Sequence, residues 1–216
     1  MNLEMRLSGL LFLIIIILNI LSEILGHGIG SDINSKPKLK KIHDDPRKFE
    51  ISFGLLLIEH LSIIFLAIML FLAFGHYNIV LGLIWLNSRV AEGLIQIFNR
   101  KKYWGLLYIG KQYSDTNGAA KHELLGAAQN IIKLRHANFA FAQILFSIGT
   151  LAYSVLFITT DVVPVLIGWF GIVASILYGI GIGIWFIKPK FQGVLSGGLL
   201  VLLFEIIIGG WLLFLS

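Results

Sequence analysis

Cysteine is absent from this 216-residue chain. It therefore carries no disulfide framework, no thiolate metal site and no lipid-anchored Cys. Charge is scarce as well. Asp, Glu, Lys and Arg make up 13% of the residues, against about 25% in an average soluble domain. Several catalytic signatures are also missing: there is no HExxH, no Ser–His–Asp arrangement, and no glycine spacing that would cradle a phosphate. What fills the chain is apolar: 57% of residues are hydrophobic and the mean hydropathy is +0.86.

The apolar residues fall into long runs separated by polar stretches, which is the pattern of membrane spans. Six runs, at 6–27, 52–75, 79–100, 137–158, 163–187 and 193–215, each hold about 20 residues or more. At ~1.5 Å per residue that length crosses a hydrocarbon core of ~30 Å. Backbone polar groups in lipid must satisfy one another, so these runs are expected to be helices. The sequence predicts an all-α, polytopic integral membrane protein: one domain over 1–216, a bundle of six transmembrane helices. The first run is read as a span, because it is too long for a signal peptide and no small-x-small cleavage site follows in "LSEILGHG".

Charge alternates between the loops. The first loop (28–50), the third (101–136, with Arg100 before it) and the fifth ("KPKFQ") hold every Lys and Arg except Arg6 and Arg89. The second ("GHYN") and fourth ("TTDVVP") hold none. The positive-inside rule then places the odd-numbered loops in the cytoplasm and both termini outside, in a multi-pass cell-membrane protein. The net charge of +5 is thereby assigned to lipid headgroups and not to nucleic acid. Tyr103, Trp104 and Trp185 fit aromatic anchors at the membrane interfaces. The first loop reads as a flexible connector, with His43-Asp44-Asp45 as a solvated turn. In the third loop, apolar residues at 120, 124, 127, 128, 131 and 134 share one helical face. That stretch is expected to be a short interfacial helix or an extension of the fourth span.

The few polar residues inside the spans are clustered. The first span has Asn19, Ser22, Glu23 and His27, the second Glu59 and His60, and the third Arg89, Glu92, Gln96 and Asn99. The fourth opens at His136 and Asn138 and includes Gln143, and the sixth has Glu205. By depth nearly all lie in one half of the membrane. By angle, at ~100° per residue, Arg89, Glu92, Gln96 and Asn99 fall within about 80° of one another. These positions predict a shared polar pocket, whose ligand-binding candidates are Glu23, His27, Glu59, His60, Arg89, Glu92, Gln96, His136, Gln143 and Glu205. An isolated charge at mid-bilayer costs about 2.5–3.5 kcal/mol on insertion scales. Arg89 should therefore be paired, with Glu92, Glu205 or Glu59 as candidates.

The segments "RLSGLLFLIIIILNILSEIL" (6–25), "SRVAEGLIQIFN" (88–99), "RHANFAFAQILFSIGTLAYSVLF" (135–157), "VVPVLIGWFGIVASILYG" (162–179) and "LLFEIIIGGWLLFL" (202–215) together resemble the bacterial and archaeal membrane family termed domain of unknown function 4386. The resemblance rests on Arg6, Gly9, Glu23, Arg89, Glu92, His136, Pro164, Glu205 and Trp211. It implies no biochemical activity. In one respect the chain departs from the pattern: members often carry basic residues in the second and fourth loops.

Three functions fit these features. The first is transport of a small molecule, proton-coupled or not, or binding of a polar or cationic ligand, with Glu59, Glu92 and Glu205 as charge partners. The second is a membrane-embedded enzyme acting on a lipid. For it, His60 and His136 are weak metal candidates, and no cofactor is expected. The third is a non-catalytic subunit. Membrane lipid is the expected surrounding, and GxxxG faces at Gly179/Gly183 and Gly193/Gly197 are candidate seams for a second copy or for partner helices.

Overall fold

The computed structural model describes residues 3–25, 35–160, 162–188 and 194–215. Among them the chain is all-helical, in eight helices: α1 (Leu3–Ile24), α2 (Ser35–Asp44), α3 (Pro46–Phe74), α4 (Ile79–Tyr103), α5 (Gly105–Tyr113), α6 (Gly118–Thr160), α7 (Val165–Ile187) and α8 (Val194–Phe214). Five of these are long and apolar enough to cross a membrane: α1, α3, α6, α7 and α8. α4 is not among them, because Arg89, Glu92 and their polar neighbours dilute its hydropathy.

Local chemistry fixes several helix starts. Asp45 caps α3: its Oδ1 accepts from the Lys48 backbone N–H at 3.1 Å, while Pro46 occupies the first helical position, where its missing N–H costs nothing. Asn78 caps α4 in the same way, accepting from Leu81 N–H at 3.2 Å. Gly118, with φ of 65°, turns the chain into α6.

The first loop differs from its sequence reading, and the apolar face in the third takes one of the two forms expected for it, an extension of the fourth span. The first loop contains a helix, α2, from Ser35 to Asp44. It forms because Leu39 and Ile42, one turn apart, are both buried against α5 and its neighbours. In the third loop, α5 supplies a short helix, and the apolar face that follows it runs without a break into the fourth span. The resulting α6 has 43 residues, about 65 Å of helix and twice the thickness of a hydrocarbon core.

The chain divides into two compact units. The first comprises residues up to Ile16, Leu61–Leu94 and everything from Ala140 onward. The second comprises Ile17–His60 and Ile95–Phe139. α7 and α8 belong wholly to the first and α2 and α5 wholly to the second, while α1, α3, α4 and α6 contribute a segment to each.

The first unit is a helical bundle built inside out. Along α7 the buried face carries Gly168, Gly171, Ala174, Ser175, Tyr178, Gly181 and Ile182. The exposed face carries Leu166, Trp169, Val173, Ile176, Leu177, Ile180, Ile184 and Ile187. Small residues face the neighbouring helices and large apolar ones face outward, as helix packing in lipid requires. So extensive an apolar exterior identifies a membrane protein. α1 and α8 approach backbone to backbone: a Cβ at Gly9 would lie 2.5 Å from the Leu213 nitrogen, and one at Gly209 would lie 2.9 Å from Phe12 Cβ. The core is aromatic. The Tyr153 ring meets Trp85 edge-on at 4.4 Å between centroids, with Phe157 and Phe204 alongside.

The second unit has its own core, in which Leu39, Ile42, Phe49, Tyr103, Leu106, Leu107, Ala128 and Ile132 are buried together.

Candidate functional site

In the first unit, α4 carries Arg89 inward at 1% exposure. Its Nη1 donates to Glu92 Oε2 at 2.6 Å, so of the three carboxylates expected to pair with it, Glu92 on the next turn takes the bond. Both side chains are buried. The guanidinium lies 4.5 Å from the Phe146 ring centroid and 5.3 Å from that of Trp85, distances at which the ring faces attract its charge. Trp85 is held by its own indole N–H, which donates to the Ala67 carbonyl of α3 at 3.1 Å. Gly149 of α6 leaves room for the stem: a Cβ there would lie 3.2 Å from Arg89 Cγ. The Nε of Arg89 has no hydrogen-bond partner among the described residues.

Around this pair stand further polar groups. The Tyr178 hydroxyl of α7 donates to Gln143 Oε1 of α6 at 2.7 Å. The Ser147 hydroxyl donates to the Ser175 carbonyl at 2.6 Å, and the approach is close because Gly179 would run its Cβ into that hydroxyl. Glu205 of α8 is half-buried and lies within electrostatic reach of Arg89. The buried Tyr153 hydroxyl has no partner among the described residues and faces both Glu205 and Arg89 electrostatically. Thus Arg89, Glu92, Gln143 and Glu205 lie in one unit, with Tyr178 bonded to Gln143 and the Tyr153 hydroxyl left without a partner among the described residues. Of the glycine seams, Gly179 packs on Ser147 and Gly197 on Tyr178, both within the chain. Gly183 meets nothing within 4 Å, and Gly193 lies outside the described residues.

The second unit holds Glu59, His60 and Gln96, all buried, along with half-buried His136 and exposed Glu23. His27 lies outside the described residues. The Asn19 amide donates to Glu59 Oε1 at 3.1 Å. His60 Nδ1 is 3.9 Å from Glu59 Oε2, beyond hydrogen-bond length. Ser22 and Ser52 join by their hydroxyls at 2.8 Å. Asn99 donates to the Arg135 carbonyl and accepts from Asn138, both at 3.3 Å. Among the described residues no three His, Asp or Glu side chains gather into a metal-binding group.

Sequence reasoning missed a group of cations in this unit. Lys38, Arg100 and Arg135, expected to face lipid headgroups, are buried at 1%, 3% and 6% exposure. Tyr103, expected as an interfacial anchor, is buried too and packs against Phe49 at 5.5 Å between ring centroids. All three cations lie over the Tyr103 ring, at 5.8, 5.9 and 4.0 Å from its centroid. The legible signal was Arg100-x-x-Tyr103, one helical turn apart on the face that Asn99 shares with the polar stripe.

Compared with known families, residues 7–215 match the one described as Domain of unknown function (DUF4386). The chain belongs to that family. No curated protein and no solved structure matches it.

Proposed function

We propose that this DUF4386 member is a six-span protein of the cell membrane that binds a small polar or cationic ligand, or carries such a ligand or a proton across. In this reading α4 also crosses the membrane, as the third of six spans, the chain acts as one transmembrane domain, and the odd-numbered loops face the cytoplasm. The observation that carries the reading is the buried Arg89–Glu92 pair within a helix set among five apolar ones. Charges at membrane depth are costly and mark ligand or ion pathways far more often than they serve packing alone.

The surrounding groups support the same reading. The bond itself joins two side chains of a single helix, so packing between helices does not require its charges. Glu205 and Gln143 add an acid and an amide from α8 and α6. Glu92 and Glu205 are the groups that would attract a cation or exchange a proton, and Arg89 is the fixed charge that neutralises one of them when the site is empty. Tyr178 positions Gln143 through its hydrogen bond.

The test compares small molecules released from purified wild type, E92Q and E205Q, measured by mass spectrometry at matched amounts of folded protein. A polar molecule present with the wild type and lost from both variants is the expected result. Variants that accumulate normally and release the same molecules as the wild type contradict it. Failure of E205Q to accumulate, a variant that leaves the Arg89–Glu92 bond in place, favours a non-catalytic structural subunit, and a released lipid that the wild type has altered chemically favours an enzyme.

A further inference from the structure

The cation group of the second unit is independent of Arg89 and asks for an explanation of its own. Arg100 ends the third proposed span, Arg135 lies on α6, and Lys38 lies on α2. Burying one charge without a partner is unfavourable, and burying several of one sign together is more so. Here Nη1 and Nη2 of Arg100, Nη2 of Arg135 and the Tyr103 hydroxyl are all buried and have no hydrogen-bond partner among the described residues. Both guanidinium groups lie over the one Tyr103 ring, at 5.9 and 4.0 Å from its centroid, so their like charges repel.

The two acids that act electrostatically on Arg100, Glu59 and Glu23, do not satisfy its terminal nitrogens. The nearby imidazoles add no negative charge: His60 lies in the field of Arg100 and Arg135, and His136 in that of Arg135 and Lys38. The Tyr103 ring face offers cation–π attraction to all three cations, but it accepts no hydrogen bond from their terminal nitrogens in the plane where a guanidinium donates best.

We propose that Arg100, Arg135, Lys38 and Tyr103 form a binding site for a phosphate group. Guanidinium forks match the oxygens of phosphate two at a time, a phenol hydroxyl adds a third direction, and the lysine adds charge without demanding geometry. A phosphate carries more acceptor oxygens and more negative charge than a carboxylate, so it can answer more of these donors at once. Lys101 and Lys102, exposed directly after Arg100, raise the local concentration of anions beside it. The phosphate can belong to the headgroup of an anionic phospholipid or to a soluble phosphorylated compound.

The experiment measures thermal unfolding and ligand retention of the full chain in a neutral detergent, after exhaustive delipidation. The additions are inorganic phosphate, glycerol phosphate, phosphatidylglycerol and, as the control, phosphatidylcholine. Wild type is expected to gain thermal stability from a phosphate-bearing anion and not from phosphatidylcholine. Gain from phosphatidylglycerol alone assigns the site to a lipid headgroup, and gain from inorganic or glycerol phosphate assigns it to a soluble ligand. R100M and R135M are expected to lose about tenfold or more in affinity, as when one charged partner of a hydrogen-bonded pair is removed. R100M without ligand is also expected to unfold at a higher temperature than ligand-free wild type, because a repelling, unpartnered charge has gone. Y103F keeps the ring and removes only the hydroxyl, so it reports on binding even where an arginine variant fails to fold. Its affinity is expected to drop severalfold. No gain from any phosphate compound, or a gain equal in wild type and Y103F, overturns the proposal.

Discussion

A guanidinium at 1% exposure, bonded at 2.6 Å to a carboxylate one turn along its own helix, makes each partner's charge tolerable only while the other is present. Removing one leaves the other buried and unpaired, which costs about 3–5 kcal/mol in proteins. Arg89→Met or Glu92→Met alone should therefore destabilise the protein by that order in detergent denaturation, and the double variant should be less destabilised than either single one. A double variant at the sum of the two losses would mean that the pair contributes no coupling. The same reasoning covers Gly149. Its absent side chain makes room for the Arg89 stem: a Cβ there, 3.2 Å from Cγ, already requires the stem to shift by a few tenths of an ångström, and a full leucine side chain requires more. Gly149→Leu is thus expected to lower stability by about 1–3 kcal/mol, as overpacking does, read in the same unfolding assay. The pairing of Arg89 was legible in the sequence because Glu92 is three residues away and a lone charge there is expensive. The burial of Lys38, Arg100 and Arg135 was not. Lys and Arg just outside an apolar run read as headgroup contacts, and nothing in a one-dimensional pattern says that α2 and the early part of α6 fold over them.

Among elements, the long apolar runs announced the helices, and the polar caps placed their starts. Asp45 and Asn78 each accept from a backbone N–H three residues on. Asp45→Ala should cost α3 about 1 kcal/mol and leave the membrane spans in place, measurable as a small drop in unfolding midpoint with unchanged helical content. α2 escaped the sequence reading because two buried apolar residues in ten are too few to show a period against seven polar and charged neighbours. α4 posed the opposite difficulty: the residues that give it chemical interest are the ones that lower its hydropathy. The contact between α1 and α8 is made by glycines. Gly9→Val places a Cβ 2.5 Å from the Leu213 nitrogen, so the helices must separate. That variant is expected to accumulate poorly, whereas Gly54→Ala, which meets nothing within 4 Å, is expected to behave as the wild type.

At the scale of the molecule, the account rests on α4 crossing the membrane with its ion pair inside. Five apolar helices without α4 and six with it give opposite sidedness to the chain on either side of this helix, so the question has a yes-or-no answer. Because the chain has no cysteine, single cysteines can be introduced without a background. Tyr77 before α4 and Lys102 near its end are both exposed, and they bracket Arg89 and Glu92. The decisive measurement is labelling of Y77C and K102C by a membrane-impermeant maleimide, applied to intact cells and to inverted vesicles. The account predicts that Y77C reacts in intact cells and K102C in inverted vesicles. Reaction of both positions from the same side would place Arg89 and Glu92 outside a membrane span and contradict the account.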